Sequence, residues 1–285
     1  MEASATSVPD AVFAAVVERR GSIWDDALQE LRRLVRYRYL AKYLLSASLR
    51  FEHVGTVFGY LWWILDPLLT GAIYVILVDV MLHSGGENYL VFVFTSAVVW
   101  KSVVVSVRSA MAQTYGRQSL MKKIAFPRSI IPLVAVAAET ARFLLGLLVV
   151  LGFAAAFGLY PNSSLLFLPL VVLVQLPLVL GLALLLSALG VLFRDIDNLS
   201  DFLFRSLFFL SPALYPLSVV PSGIARRFYD INPFATLLPA YHAIVIDHAR
   251  PDLLPLGYTA VGALAALVGG YLVFVRLEPL FAKVR

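Results

Sequence analysis

Six ionisable side chains stand inside long apolar runs: Asp66, Asp79, Lys101, Arg108, Glu139 and Arg142. At a bilayer centre each costs about 2.5–3.5 kcal/mol to insert, so each needs a partner or a task. Glu139 and Arg142 are three residues apart, share a helix face and can pair. Lys101 sits twelve residues into its run, roughly 18 Å deep at a helical rise of about 1.5 Å per residue. There it needs a carboxylate, from Asp66 or Asp79, or a watery path that it lines. Aromatic residues gather in the same runs: Tyr60, Trp62, Trp63, Tyr74, Trp100, Phe208, Phe209 and Tyr215. Rings along a path suit the flat faces of sugars, whereas rings near a membrane surface form anchoring belts. Both readings fit these residues.

Other chemistry is missing. No Gly-Lys dipeptide occurs, so the chain has no P-loop for ATP. Neither H-E-x-x-H nor G-x-S-x-G is present. His242 and His248 are six apart, unlike a usual zinc spacing, and read as structural or rim residues. Zero cysteines exclude disulfides, thiolate metal sites and cysteine nucleophiles. The basic and aromatic residues at 32–43 mimic an RNA-binding patch but directly precede an apolar run, so interfacial anchoring explains them and no nucleic-acid partner is expected.

The elements that must position these residues are membrane helices. The 285 residues are 60% hydrophobic and 14% charged, with a mean hydropathy of +0.85. Ordinary soluble domains are about 45–50% apolar and about 25% charged, so a water-soluble enzyme is excluded. Five stretches reach the roughly 20 apolar residues of a span: 57–82, 89–111, 130–157, 165–192 and 254–275. A sixth, 202–220, is broken by Pro212 and Pro216 and reads as a helix followed by irregular, re-entering backbone. The expected fold is therefore all-α and polytopic, with six transmembrane helices. Residues 1–22 are expected to form a flexible amino terminus with no signal peptide, 23–52 an interface helix, and 53–285 the transmembrane domain.

Lysine and arginine set the orientation. Seventeen lie in 1–55, the 112–129 and 193–205 segments and the tail, against three (Arg226, Arg227, Arg250) in the opposite loops. The positive-inside rule then puts both termini in the cytoplasm. From Ile23 to Arg50, Trp24, Leu28, Leu31 and Val35 recur at helical spacing among basic and aromatic residues. Such a helix lies in the headgroup layer, either as an anchor or as a gate at a pore mouth. The loop AQTYGRQSLMKKIAFPRS carries Leu120, Met121, Ile124 and Phe126 beside its cations, which favours docking over mere charge. A second loop, 193–201, mixes Arg194 with Asp195, Asp197 and Asp201.

These residues together resemble a known family. RYRYLAKYLLSASLRFEHVGTVFGYLWWILDPLL, with Gly59, Trp62 or Trp63, Asp66 and Pro67, resembles the approach to the first span of ABC-2 type permeases that export polysaccharides. SLMKKIAFPRSIIPL is similar to the loop after their second span, through Leu120, Lys122 or Lys123, Phe126, Pro127, Arg128 and Pro132. The later segments resemble theirs through Phe193, Arg194, Asp195, Ser211, Pro212, Tyr215, Pro216, Asn232 and Pro233. Departures are His242, where the family often has arginine, and Lys101 after the tryptophan.

The resemblance implies a six-span half-transporter, two copies of which form a pathway driven by two ATPase subunits on a separate chain. ATP and Mg would be bound there and no cofactor here. Leu120, Lys122, Lys123, Phe126, Pro127, Arg128, Arg194 and Asp195 would contact the ATPase. Arg36, Arg38, Tyr39 and Tyr43 would belong to a cytoplasmic gate helix, and 205–245 to an extracytoplasmic gate of two short helices. Tyr60, Trp62, Trp63, Tyr74, Trp100, Lys101, Phe208, Phe209 and Tyr215 would line the route of a lipid-linked glycan: an O antigen, capsule, teichoic acid or galactan. The alternatives are an ABC-2 exporter of a small lipid or drug, or a membrane-embedded glycosyl- or acyltransferase.

Overall fold

A computed structural model describes residues 23–51, 58–77, 88–116, 126–220 and 223–282, and every element among them is helical. The expected interface helix is two helices, α1 (Ile23–Arg36) and α2 (Arg38–Phe51), with a turn at Tyr37. In α1 the stripe Leu28, Leu31 and Val35 is exposed, while Ala27 and Glu30 face the protein. An apolar stripe turned outward suits the headgroup layer better than a protein core.

After a 3₁₀ turn opened by Gly59, whose φ of 49° favours glycine, α3 runs Trp62–Leu77. Then follow α4 (Tyr89–Gly116), α5 (Ile130–Ala156), a 3₁₀ segment leading into α6 (Leu168–Leu192), and α7 (Asp195–Phe209). Two short helices, α8 (Ile224–Ile231) and α9 (Phe234–Val245), precede α10 (Leu253–Leu277), which ends in a 3₁₀ turn. Among the described residues four helices are long and apolar enough to cross a membrane: α4, α5, α6 with its 3₁₀ lead, and α10 with its 3₁₀ end. Helices α3 and α7 are shorter, at 16 and 15 residues, and the flanks 52–57 and 78–87 of α3 lie outside the described residues.

The segment expected as a loop at 193–201 instead supplies the first turns of α7. Asp195 and Asp197 occupy its first turn, where carboxylates favour the exposed backbone N–H groups. The expected break is real: helix stops at Phe209, and Leu210–Pro216 is irregular. Ser211, Pro212 and Ala213 are buried in protein, where non-helical backbone groups need partners. Side chains from elsewhere occupy its carbonyls: Tyr89 Oη donates to Leu214 at 2.9 Å, and Asn232 Nδ2 to Leu210 at 3.1 Å.

Helices α4, α5, α6 and α9 enclose the main core, with Phe94, Val98, Val103, Phe143, Leu147 and Tyr241 at its centre. A second cluster joins Ile131, Leu184 and Val191 to Phe274 and Phe281 near the end of α10. The closest approach is between α6 and α10 at Gly181 and Gly270. A methyl at Gly181 would fall 2.6 Å from the Leu267 backbone nitrogen, so only hydrogen fits. Small residues that let backbones touch are how helices associate in lipid, where apolar burial offers no driving force.

Candidate functional site

Two ion pairs converge between α3, α4 and α5. Lys101 on α4 pairs with Asp66 on α3, choosing one of its two candidate carboxylates; Asp79 lies outside the described residues. Glu139 pairs with Arg142 along α5, as their spacing predicted. The four groups border one cavity of about 290 Å³, walled by Trp62, Trp63, Pro67 and Phe143. The Arg142 guanidinium lies 5.9 Å from the centre of the Trp63 ring, within cation–π range.

Behind this cavity runs a hydrogen-bond chain not foreseen from sequence. Tyr241 Oη donates to Gln175 at 2.7 Å, and Gln175 donates to Ser102 at 3.0 Å. It joins α9 to α6 to α4 through the buried Tyr241 and Gln175 and the half-buried Ser102, polar groups that are costly to bury unless paired. Their separations of 66 and 73 residues leave no local pattern to find.

A second cleft of about 340 Å³ lies between α4 and α7, bordered by Trp100, Arg108, Asp201, Phe208 and Phe209. Arg108 pairs with Asp201 at 3.2 Å. Thr70, Lys101 and Val105 border both spaces, so Lys101 stands on their common wall. Trp100 is only 8% exposed, its ring 5.6 Å from Phe208 and 4.9 Å from Phe234, so packing holds most of its surface. Tyr215 stands apart, its hydroxyl engaged with the Tyr229 hydroxyl and the Phe209 carbonyl. The side chains of Tyr60 and Tyr74 lie outside the described residues. The structure thus groups Trp62, Trp63 and Lys101 in one space, and Trp100, Lys101, Phe208 and Phe209 in the next.

His242 is buried in α9, 2.8 Å from Ser96 Oγ and stacked on Phe92 at 3.8 Å. That is a structural setting. Asn232 pins the turn before α9, donating to Ser211 Oγ at 2.9 Å and accepting from the Phe234 N–H at 3.0 Å. Among the described residues no three His, Asp or Glu side chains converge as metal ligands.

Leu120, Lys122 and Lys123 lie outside the described residues. Of their expected partners, Pro127 is buried and Phe126 packs on the second core cluster. Arg128 points inward: its backbone N–H donates to Glu278 Oε1 at 3.4 Å and its guanidinium bonds the Glu278 carbonyl. Ser129 donates to Glu30 of α1 at 3.2 Å. Burial raises the Glu30 carboxyl above its usual range, against the opposing pull of that hydrogen bond and of Arg33 and Arg128. Arg194 lies over Tyr115 at 5.7 Å, next to exposed Asp195. Arg36, Arg38, Tyr39 and Tyr43 are all exposed and border neither cavity, Arg38 resting on the Tyr39 ring at 5.1 Å.

Long apolar helices with paired charges between them mark a polytopic membrane protein. The sequence profile of the ABC-2 type transporter family matches residues 32–246, and the chain belongs to that family. It is 31% identical over 254 residues to the O-antigen export system permease protein of Myxococcus xanthus, covering 89% of this chain and 98% of that one. A protein of the same description from Klebsiella pneumoniae is 26% identical over 244 residues, 84% of this chain and 92% of its own.

Proposed function

We propose that this chain is the permease subunit of an exporter that carries a lipid-linked polysaccharide of the O-antigen type across the cytoplasmic membrane. The observation that supports it most directly is the pair of adjoining spaces at α3, α4, α5 and α7, bordered by tryptophans and ion-paired charges. Indole faces suit the C–H faces of pyranose rings, and charged groups suit their hydroxyls, so such walls bind sugar without cleaving it. The names of the relatives point to the same cargo.

In this reading two copies form the pathway and both termini are cytoplasmic. Two ATPase subunits on another chain bind ATP and Mg, since this chain carries no P-loop. Residues 117–128 and the start of α7 receive the ATPase, α1 and α2 flank the cytoplasmic mouth, and α8 and α9 dip into the membrane as the extracytoplasmic gate. Two further short-span helices, α3 and α7, complete the six.

The test is purification of the tagged protein from its native membrane in mild detergent. An ATPase chain in equal amount and a bound lipid-linked glycan are expected. With Lys122→Glu/Lys123→Glu the ATPase is lost while membrane insertion persists. A folded protein that turns over lipid-linked sugar with no ATPase attached would overturn the reading in favour of a membrane enzyme.

A further inference from the structure

The exit of the 117–128 segment is fastened to two other parts of the chain at once. Arg128 holds Glu278 at the end of α10 by its backbone N–H, by its guanidinium to the Glu278 carbonyl, and by an ion pair at 3.9 Å. One residue on, Ser129 holds Glu30 of α1 at 3.2 Å. Tyr271 of α10 closes the triangle by donating to the Ala27 carbonyl of α1 at 3.1 Å. Ser129 is fully buried and Glu30 is 5% exposed, so water does not compete for their bond. Beneath them Ile131 and Phe126 pack with Phe274 and Phe281.

Resting on the proposed ATPase contact at 117–128, we infer that Glu30, Arg128, Ser129 and Glu278 form an internal latch that makes the segment's exit, α1 and the end of α10 one rigid body. Arg128, at the inner end of that contact, is then a positioning residue whose guanidinium is held by Glu278. A displacement imposed on the segment passes directly to the amphipathic helix at the membrane surface. A flexible connection would dissipate it. Close-packed contacts of this kind move together because interiors resist continuous deformation.

Gln29 and Pro279 are exposed and border the same small polar cavity, across the joint between α1 and α10. The chain has no native cysteine, so Gln29→Cys/Pro279→Cys can be bridged specifically with a short bis-methanethiosulfonate linker. In the full complex in proteoliposomes, Glu30→Ala is expected to retain its ATPase but lose about tenfold in ATP-driven glycan export. The bridge is expected to leave export of the otherwise native complex intact, and to restore it in Glu30→Ala.

If the bridged native complex stops exporting, the joint opens during the cycle and the latch is wrong. Undiminished export by Glu30→Ala also overturns it. Should Glu30→Ala fail to accumulate, the bridged native complex decides alone. Failure of the permease reading itself registers separately, as absence of any ATPase from the native preparation.

Discussion

Arg142 and Glu139 pair along α5 in a place with little access to water. Their side chains are 17% and 9% exposed, so removal of one leaves the other with little water to replace it. Breaking such a pair costs about 3–5 kcal/mol, while replacing both by apolar residues is often neutral. Arg142→Met should therefore lower the thermal midpoint in detergent sharply, and Glu139→Leu/Arg142→Met should recover most of the loss. A double variant no more stable than the single would mean the arginine acts through another contact. This pair was legible because helix spacing places residues three apart on one face. Lys101 was legible halfway: depth asked for a carboxylate or a watery path, and the pairing with Asp66 took a tertiary contact. The Tyr241–Gln175–Ser102 chain was not legible, because each polar residue alone is ordinary and only the fold aligns them.

At the scale of elements, the α6–α10 crossing rests on the absence of two side chains. A methyl at Gly270 would meet the Gly181 backbone, whereas one at Gly269 meets nothing within 4 Å. Overpacking in a tight core costs about 1–3 kcal/mol, and backbone on both sides leaves nothing flexible to yield. Gly270→Ala is expected to melt several degrees lower in detergent, with Gly269→Ala unchanged; equal melting of the two would refute the crossing. Apolar length announced α4, α5, α6 and α10 within a few residues. The start of α7 reads as a loop from sequence because DIDNLSD is polar, although acidic residues in a first turn are also a helix-start signal. In α1 periodicity identified the stripe, but which way it faced depended on Ala27 and Glu30 docking against α10.

For the whole molecule, the proposed orientation with both termini cytoplasmic rests on the basic residues alone and has a direct test. Tyr39 and Tyr160 are each 70% exposed; Tyr160 follows the end of α5, and the start of α5 is the end that meets α1 through Ser129 and Glu30. In spheroplasts, an impermeant maleimide should label Tyr160→Cys at once and Tyr39→Cys only after lysis; the reverse pattern would invert the topology.

The ion pairs also carry a consequence for biosynthesis. A ribosome delivers α3 before α4, so the Asp66 carboxylate is already present when Lys101 reaches the translocon. Glu139 and Arg142 arrive together on one helix and enter as a neutral couple. Arg108 is different: its partner Asp201 is made 93 residues later, since 201 minus 108 is 93. At about 5–20 residues per second, that wait is roughly 5–20 s. Arg108 lies eight residues before the end of α4 and can spend that interval among phospholipid headgroups. Each of these charges thus has either a companion on arrival or a wet place to wait, and the gene's own order supplies the schedule.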